Sequence, residues 1–233
     1  MAMLMRTALH QNSSRHAVTA RGGNGLPPGA HAHGSSLDLM GAPMPFARNV
    51  EIYGENETAD YLYKVVSGAV RTYRVLNDGR RQIGAFLLAG DMFGLEAGAI
   101  HGSSAEAIAD SVILVIKRSA VIALAERDAE VARQLWTLTA RELGRVQNHM
   151  LLLIRNAQER IATFLLEMAE RAPAAGDAVE LPMSRQDIAD YLGLTIETVS
   201  RTLSQLEENA AIALPTSRRV VLRNRSALSR LNA

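Results

Sequence analysis

The chain contains no cysteine, which removes structural disulfides, thiolate-ligated zinc, iron–sulfur clusters and a thiol nucleophile together. A redox response would need a borrowed cofactor. Lysine is nearly absent as well: Lys64 and Lys117 are the only two among 25 basic residues, so arginine carries the positive charge. Long apolar runs are missing too: runs such as residues 112–116 and 150–154 fall far short of the roughly 20 residues that span a bilayer. A cytoplasmic chain without membrane contact is expected. What is present, 233 residues with 48% apolar and 21% charged, suffices for one sizeable core or two and excludes collagenous, coiled-coil-only and wholly disordered classes. A net charge of +1 carries no global signal for nucleic acid, so the placement of charge decides.

Residues 1–44 hold Arg6, Arg15 and Arg21, no acid before Asp38, and many Gly, Ser, Ala, Pro and His residues. This composition predicts a flexible N-terminal tail; its charge pattern also resembles an organellar presequence, but without a sustained apolar stripe. His10, His16, His31 and His33 lack the rigid spacing of a metal site. Over residues 45–118, β-branched or aromatic runs at 50–53, 61–66, 69–76, 82–88 and 112–116 alternate with turn signals, which predicts a small β-sandwich or barrel. Asn77, Asp78 and Gly79 tolerate positive φ and mark a hairpin. Gly54, Gly68, Gly84, Gly90 and Gly94 near the ends of the runs suit tight corners or simple turns.

Residues 119–172 read as helix, with 119–155 the segment expected to carry dimerisation. Ala132, Trp136, Thr139, Leu143, Val146, Met150 and Leu153 alternate gaps of four and three, the seam by which two helices bury each other. Leu135, Leu138, Leu151 and Leu152 give a second apolar face, so the alternatives are a homodimer helix and a monomeric helix buried on two sides. Asn156 with Glu159 forms a capping-box-like pair, and a new helix, with a candidate hinge, is expected there.

Within residues 156–233 lies the segment that carries chemistry. Ile188 and Leu192 lie one turn apart, Ala189 permits close approach, Gly193 permits a turn, and Val199, Leu203 and Leu206 stripe a second helix. This is a helix-turn-helix pattern with Ser184 and Thr195 as N-caps, whose backbone N–H groups suit phosphate. Ile196, Glu197, Ser200 and Arg201 are left exposed near the start of the second helix, as candidate base readers: Arg201 for guanine, Glu197 for a cytosine amino group, Ser200 or Ile196 for thymine. Glu197 and Arg201 also have the spacing of a surface ion pair, alone or as a support for reading. Residues 211–214 and 219–222 form a hairpin wing, and residues 212–233 contain arginines but no acid. Ser184, Arg185, Thr195, Thr198, Arg218 and Arg219 are the expected contacts to the DNA backbone. No catalytic constellation is evident: Asp91 and Glu96 lie in a turn, and Ser103 and Ser104 beside His101 lack an orienting acid.

Three segments carry a family resemblance: residues 150–160, Met-Leu-Leu-Leu-Ile-Arg-Asn-Ala-Gln-Glu-Arg; residues 181–201, Leu-Pro-Met-Ser through Val-Ser-Arg; and residues 90–94, Gly-Asp-Met-Phe-Gly. With the order barrel, helix, helix-turn-helix and wing, the chain from residue 45 onward resembles the Crp/Fnr superfamily of bacterial transcription regulators. The resemblance implies an α+β architecture: a cyclic-nucleotide-binding-like β-barrel (jelly roll), a long dimerisation helix and a winged helix-turn-helix. Glu197, Ser200 and Arg201 look like the Fnr branch, whose sites are palindromes of TTGAT-like half-sites, with Arg201 on the guanine. The chain departs from Fnr in lacking cluster cysteines. It departs from cyclic-nucleotide binders in its Gly94-Leu95-Glu96 and in having no Lys or Arg between Arg81 and Lys117 to clamp a phosphate.

What remains resembles the FixK group, regulators of low-oxygen respiration and nitrogen-fixation genes. The resemblance implies a homodimer on palindromic promoter DNA that recruits RNA polymerase, mainly as an activator, with neither cofactor nor obligate small-molecule effector. Barrel loops including residues 77–81 are candidate polymerase contacts. Some FixK-type proteins carry a redox-sensitive cysteine near the DNA-binding helices, and Ser184 is the candidate replacement position. The alternative is a Dnr-like, haem-based nitric oxide regulator, with His101, His149 or a methionine as axial ligand.

Overall fold

The computed structural model describes residues 37–171 and 177–231. The eight strands of its first part are β1 (Gly41–Phe46), β2 (Glu51–Tyr53), β3 (Tyr61–Ser67), β4 (Ala69–Val75), β5 (Arg81–Leu88), β6 (Met92–Phe93), β7 (Ser104–Ala107) and β8 (Ser111–Lys117). They form two four-stranded antiparallel sheets, ordered β1-β8-β3-β6 and β2-β7-β4-β5. The result is jelly-roll-like, two separate sheets and no closed barrel. Apolar residues alternate inward as the period of a strand requires: Leu62, Val65, Val70, Ile83, Ile113 and Ile116 are buried.

Each of the five anticipated strand runs is a strand to within two residues at its ends. Gly79, at φ 83°, turns the β4–β5 hairpin, and the Leu76 N–H donates to the Arg80 carbonyl. Gly68 is the corner that no other residue could fill: at φ +87° a Cβ would lie 2.2 Å from Ser111 Oγ. β1, β6 and β7 were not anticipated. β1 begins inside the stretch assigned to the tail and pairs residue for residue with β8, from Gly41 opposite Ile116 to Phe46 opposite Ser111. The tail boundary at residue 44 is thus too late, and the four tail histidines lie outside the described residues.

The helical segment also breaks earlier than expected. α1 (Arg118–Ala125) ends before Asp128, whose carboxylate caps α2 (Ala129–Leu153) by accepting from the Glu130 N–H at 2.9 Å. Val131 at the start of α2 is buried with Leu62, Leu114 and Ile116 of the first sheet, and Leu135 and Leu138 pack on the same cluster. α3 (Ala157–Arg171) starts where Asn156 and Glu159 predicted it, with the Glu159 N–H donating to Asn156 Oδ1 and the Asn156 N–H to Glu159 Oε2. Residue 172, the expected helix end, lies outside the described residues.

The last part contains β9 (Ala178–Glu180), α4 (Arg185–Leu192), α5 (Ile196–Glu208), β10 (Ile212–Ala213), β11 (Arg219–Leu222) and α6 (Arg225–Leu231). The wing is a three-stranded sheet ordered β10-β11-β9, one strand more than the expected hairpin, and α6 was also not anticipated. One core runs from the sandwich into these helices: Ile83, Phe86 and Ile108 join Phe164, Leu165, Met168, Ile188, Leu192, Val199 and Leu203.

Candidate nucleic-acid interface

The two DNA-binding helices are built by local signals. Ser184 Oγ accepts from the Asp187 N–H at 3.1 Å and the Ser184 N–H donates to the Asp187 carboxylate at 2.9 Å, a complete capping box that starts α4. Gly193 ends α4 in the left-handed region at φ 61°. Thr195 then caps α5 by accepting from the Thr198 N–H at 3.2 Å. Val199, Thr202, Leu203 and Leu206 are the buried side of α5, and each apolar member contributes roughly 1.5–3 kcal/mol.

Burying that face leaves Ile196, Glu197 and Arg201 exposed, with Ser200 half-buried beside them. All four expected base-reading residues therefore lie on the first half of one helix. Hydrogen bonds from its own backbone N–H and from the Thr195 hydroxyl hold the Glu197 carboxyl below the usual carboxylate range. Among the described residues no ion pair joins it to Arg201, whose guanidinium makes no hydrogen bond there. The arginine is thus unspent.

The expected backbone contacts differ in how far they are committed. Arg185 is half-buried at the start of α4, and Thr195 and Thr198 share the cap of α5. Arg218 donates to the Pro182 carbonyl at 3.1 Å, and Arg219 stands 3.5 Å from Glu180 in an exposed pair. Arg223 and Arg230 are exposed as well. Ser184 is half-buried, its hydroxyl donating to Asp187 Oδ2 at 2.7 Å.

The seam expected to hold a second subunit is open along α2: Trp136 is 76% exposed, Leu143 58%, Val146 48% and Met150 64%. Thr139 is exposed on the same line, and Leu153 is half-buried. Of the second face, Leu152 is buried while Leu151 is not, so Leu151 leaves the inner set where sequence spacing had placed it.

Inside the sandwich, four rings of the chain pack on one another. Tyr53, Tyr63, Phe93 and His101 form one aromatic stack, with Tyr53 and His101 centroids 3.6 Å apart and Tyr63 and Phe93 5.1 Å apart. Burial pushes both phenol pKa values up. His101 Nδ1 lies 2.9 Å from Glu96, and Arg118 donates to the carbonyls of Ala59, Glu96 and Gly98, which ties that loop to the start of α1. Arg71, a buried cation of β4, is committed to Glu106 and Asp187. No Lys or Arg lies between Arg81 and Lys117 to meet a phosphate. His149 stacks on Tyr191 with both ring nitrogens buried and unpartnered, at a cleft of about 570 Å³ that also takes in Arg145, Glu167 and Arg171. Among the described residues no helix is long and apolar enough to cross a membrane, and no cluster of three metal-ligating side chains occurs.

Residues 43–128 match the cyclic nucleotide-binding domain, and residues 159–231 match the Crp-like helix-turn-helix domain. The chain is 53% identical to the nitrogen fixation regulation protein FixK of Azorhizobium caulinodans over 83% of this chain and 80% of that one. It is 45% identical to the protein of the same description from Rhizobium meliloti, over 78% and 82%. The solved structure of FixK2 from Bradyrhizobium japonicum is similar with a TM-score of 0.80 and 54% identity, covering 83% of this chain and 98% of that one. A structure of CooA from Carboxydothermus hydrogenoformans, 20% identical with a TM-score of 0.71 over 85% and 91%, shares the fold. With the recognition helix, the wing and the jelly-roll-like domain accounted for by both relatives and geometry, the chain belongs to the Crp/Fnr family of transcription regulators, is closely related to FixK, and is not an enzyme.

Proposed function

We propose that the protein is a homodimeric regulator, mainly an activator, that binds TTGAT-like palindromes in the cytoplasm without an obligate small-molecule effector and controls low-oxygen respiration and nitrogen-fixation genes. One observation carries the DNA-binding part: α5 presents Ile196, Glu197, Ser200 and an unspent Arg201 on the first half of a capped helix, the part that enters a major groove. The open apolar line Trp136, Leu143, Val146 and Met150 supports pairing along α2, which would set two recognition helices about 34 Å apart. The ring-packed sandwich supports effector independence, and the FixK relatives, described as nitrogen fixation regulation proteins, support the nitrogen-fixation part of the gene class. RNA polymerase is the partner that activation requires. Within the proposed contact loop Arg81 is already committed to Asp187 and Asp190, which leaves residues 77–80 as its exposed part. Site selection from random DNA with purified protein and no added ligand tests the whole reading; recovery of a TTGAT palindrome is expected, and recovery of no motif sinks it.

A second reading, a haem-based nitric oxide regulator, keeps one observation in its favour, the unpartnered imidazole of His149 at the cleft. His101 is bonded to Glu96 through Nδ1 and leaves its Nε2 buried without a partner, stacked on Tyr53. An absorption spectrum of protein purified with haem present separates the two readings, and the effector-free reading expects no haem band.

A further inference from the structure

Away from the recognition surface, a cluster of charge joins the sandwich to the helix-turn-helix. Arg71 of β4 donates to Asp187 Oδ1 at 2.5 Å, and Arg81 of β5 donates to the same oxygen at 2.7 Å. One turn along α4, Asp190 accepts from Arg81 Nε at 2.9 Å, and the second terminal nitrogen of Arg71 goes to Glu106 at 2.9 Å. The other Asp187 oxygen accepts from the Ser184 N–H and hydroxyl. One carboxylate, 4% exposed, thus caps the first DNA-binding helix with one oxygen and grips the sandwich with the other.

The rest of the junction is of two kinds. The contact of Phe86 with Phe164 and Tyr191 is apolar, and apolar burial rewards area without fixing direction. Arg171 of α3 adds a second directional tie, to Asp91 and to the Phe86 carbonyl of the sandwich, but it holds α3, whereas the Asp187 cluster grips α4 itself. Arginine forks on carboxylates are directional. A buried ion pair is weak evidence for stability, since desolvation offsets most of its attraction, and its best-attested use is to select one arrangement. Arg71 keeps its place although its Nε is buried without a partner. All the charges involved belong to the chain, so the arrangement is complete once it has folded.

We infer that Asp187, gripped by Arg71 and Arg81, is a positioning residue that fixes the helix-turn-helix on the sandwich and thereby the half-site spacing a dimer reads. The inference rests on the homodimer and palindrome reading proposed above. A dimer whose two recognition helices are held rigidly reaches its second half-site at high effective concentration, and loosening either helix forfeits that gain while each helix still reads its own half-site.

The test uses the full-length chain and three variants: Arg81→Gln, Arg81→Glu, and Arg81→Glu combined with Asp190→Arg, which reverses one pair. Fluorescence anisotropy is read on a TTGAT palindrome, on palindromes with the spacer one base pair longer or shorter, and on a single half-site, with thermal unfolding alongside. The two single variants are expected to lose about tenfold on the palindrome. They should keep half-site affinity and its salt dependence, discriminate less between spacers, and recover in the reversed pair. The inference is overturned if variants that melt like wild type keep palindrome affinity and spacer discrimination, or if half-site and palindrome weaken equally. A wild type that binds half-site and palindrome alike overturns the palindrome reading and this inference with it; that outcome is visible without any variant.

Discussion

Arg160 of α3 donates through Nη1 to the carbonyl oxygens of Leu192 and Gly193, at 2.7 and 3.3 Å, closing over the turn between the two DNA-binding helices. The last carbonyls of α4 have no partner within the helix, and they sit at the negative end of its dipole, so a guanidinium there answers both needs. Its Nε donates to the Arg155 carbonyl at 2.7 Å, just past the end of α2. One side chain therefore ties the turn to the junction of α2 and α3. Arg160→Met keeps the apolar stem and removes the donors; a loss of about 1–3 kcal/mol in urea unfolding is expected. Arg160→Lys should recover part of it.

Arg201→Ala removes the exposed cation of the recognition helix without touching a buried residue. Loss of about 1–3 kcal/mol on the TTGAT palindrome is expected, with relaxed preference at the guanine and retained affinity for unrelated DNA. Titrating Arg201→Ala against both duplexes at two salt concentrations checks this. Equal weakening on both would mean that Arg201 meets phosphate instead of a base.

Leu143→Asp places a charge in the middle of the exposed line on α2 while leaving the sheet-facing residues of that helix intact. A monomer by sedimentation equilibrium is expected, with unchanged circular dichroism and a loss of palindrome affinity. A dimer that survives the substitution would move the interface elsewhere.

Burial lowers the pKa of His149 from its ordinary 6.5, so the unfolded chain takes up the proton before the folded one does. The stability tied to this group is complete above the unfolded value and is lost as pH falls through the folded one. His149→Phe keeps a ring on Tyr191 and removes the titration. The urea midpoint of wild type is expected to fall more between about pH 7.5 and about pH 5 than that of the variant, and parallel curves would sink the assignment.

The helix-turn-helix was legible because each of its signals is local: Ser184 and Asp187 meet within one turn, Gly193 supplies the left-handed residue, and Val199, Leu203 and Leu206 repeat at helical spacing. β1 was hidden because its sequence, Gly-Ala-Pro-Met-Pro-Phe, reads as loop; the strand tolerates Pro43 and Pro45 because it lies at a sheet edge, bonded to β8 alone. The short polar β7, Ser-Ala-Glu-Ala, lacks β-branched residues and is held by its neighbours β2 and β4. Asp128 had the chemistry of a cap, and the helix-forming residues on both sides masked it. Nothing local could have paired Asp187 with Arg71, 116 residues away, because only the folded sheet brings the two together.

On the effector-free reading proposed above, the aromatic stack inside the sandwich changes where control acts. An empty sensor domain pays for ligand dependence by staying incomplete until the ligand arrives. Tyr53, Tyr63, Phe93 and His101 instead pack on one another. On the effector-free reading, finishing synthesis and becoming competent for DNA are one event, and the quantity left to regulate is the number of molecules made and destroyed.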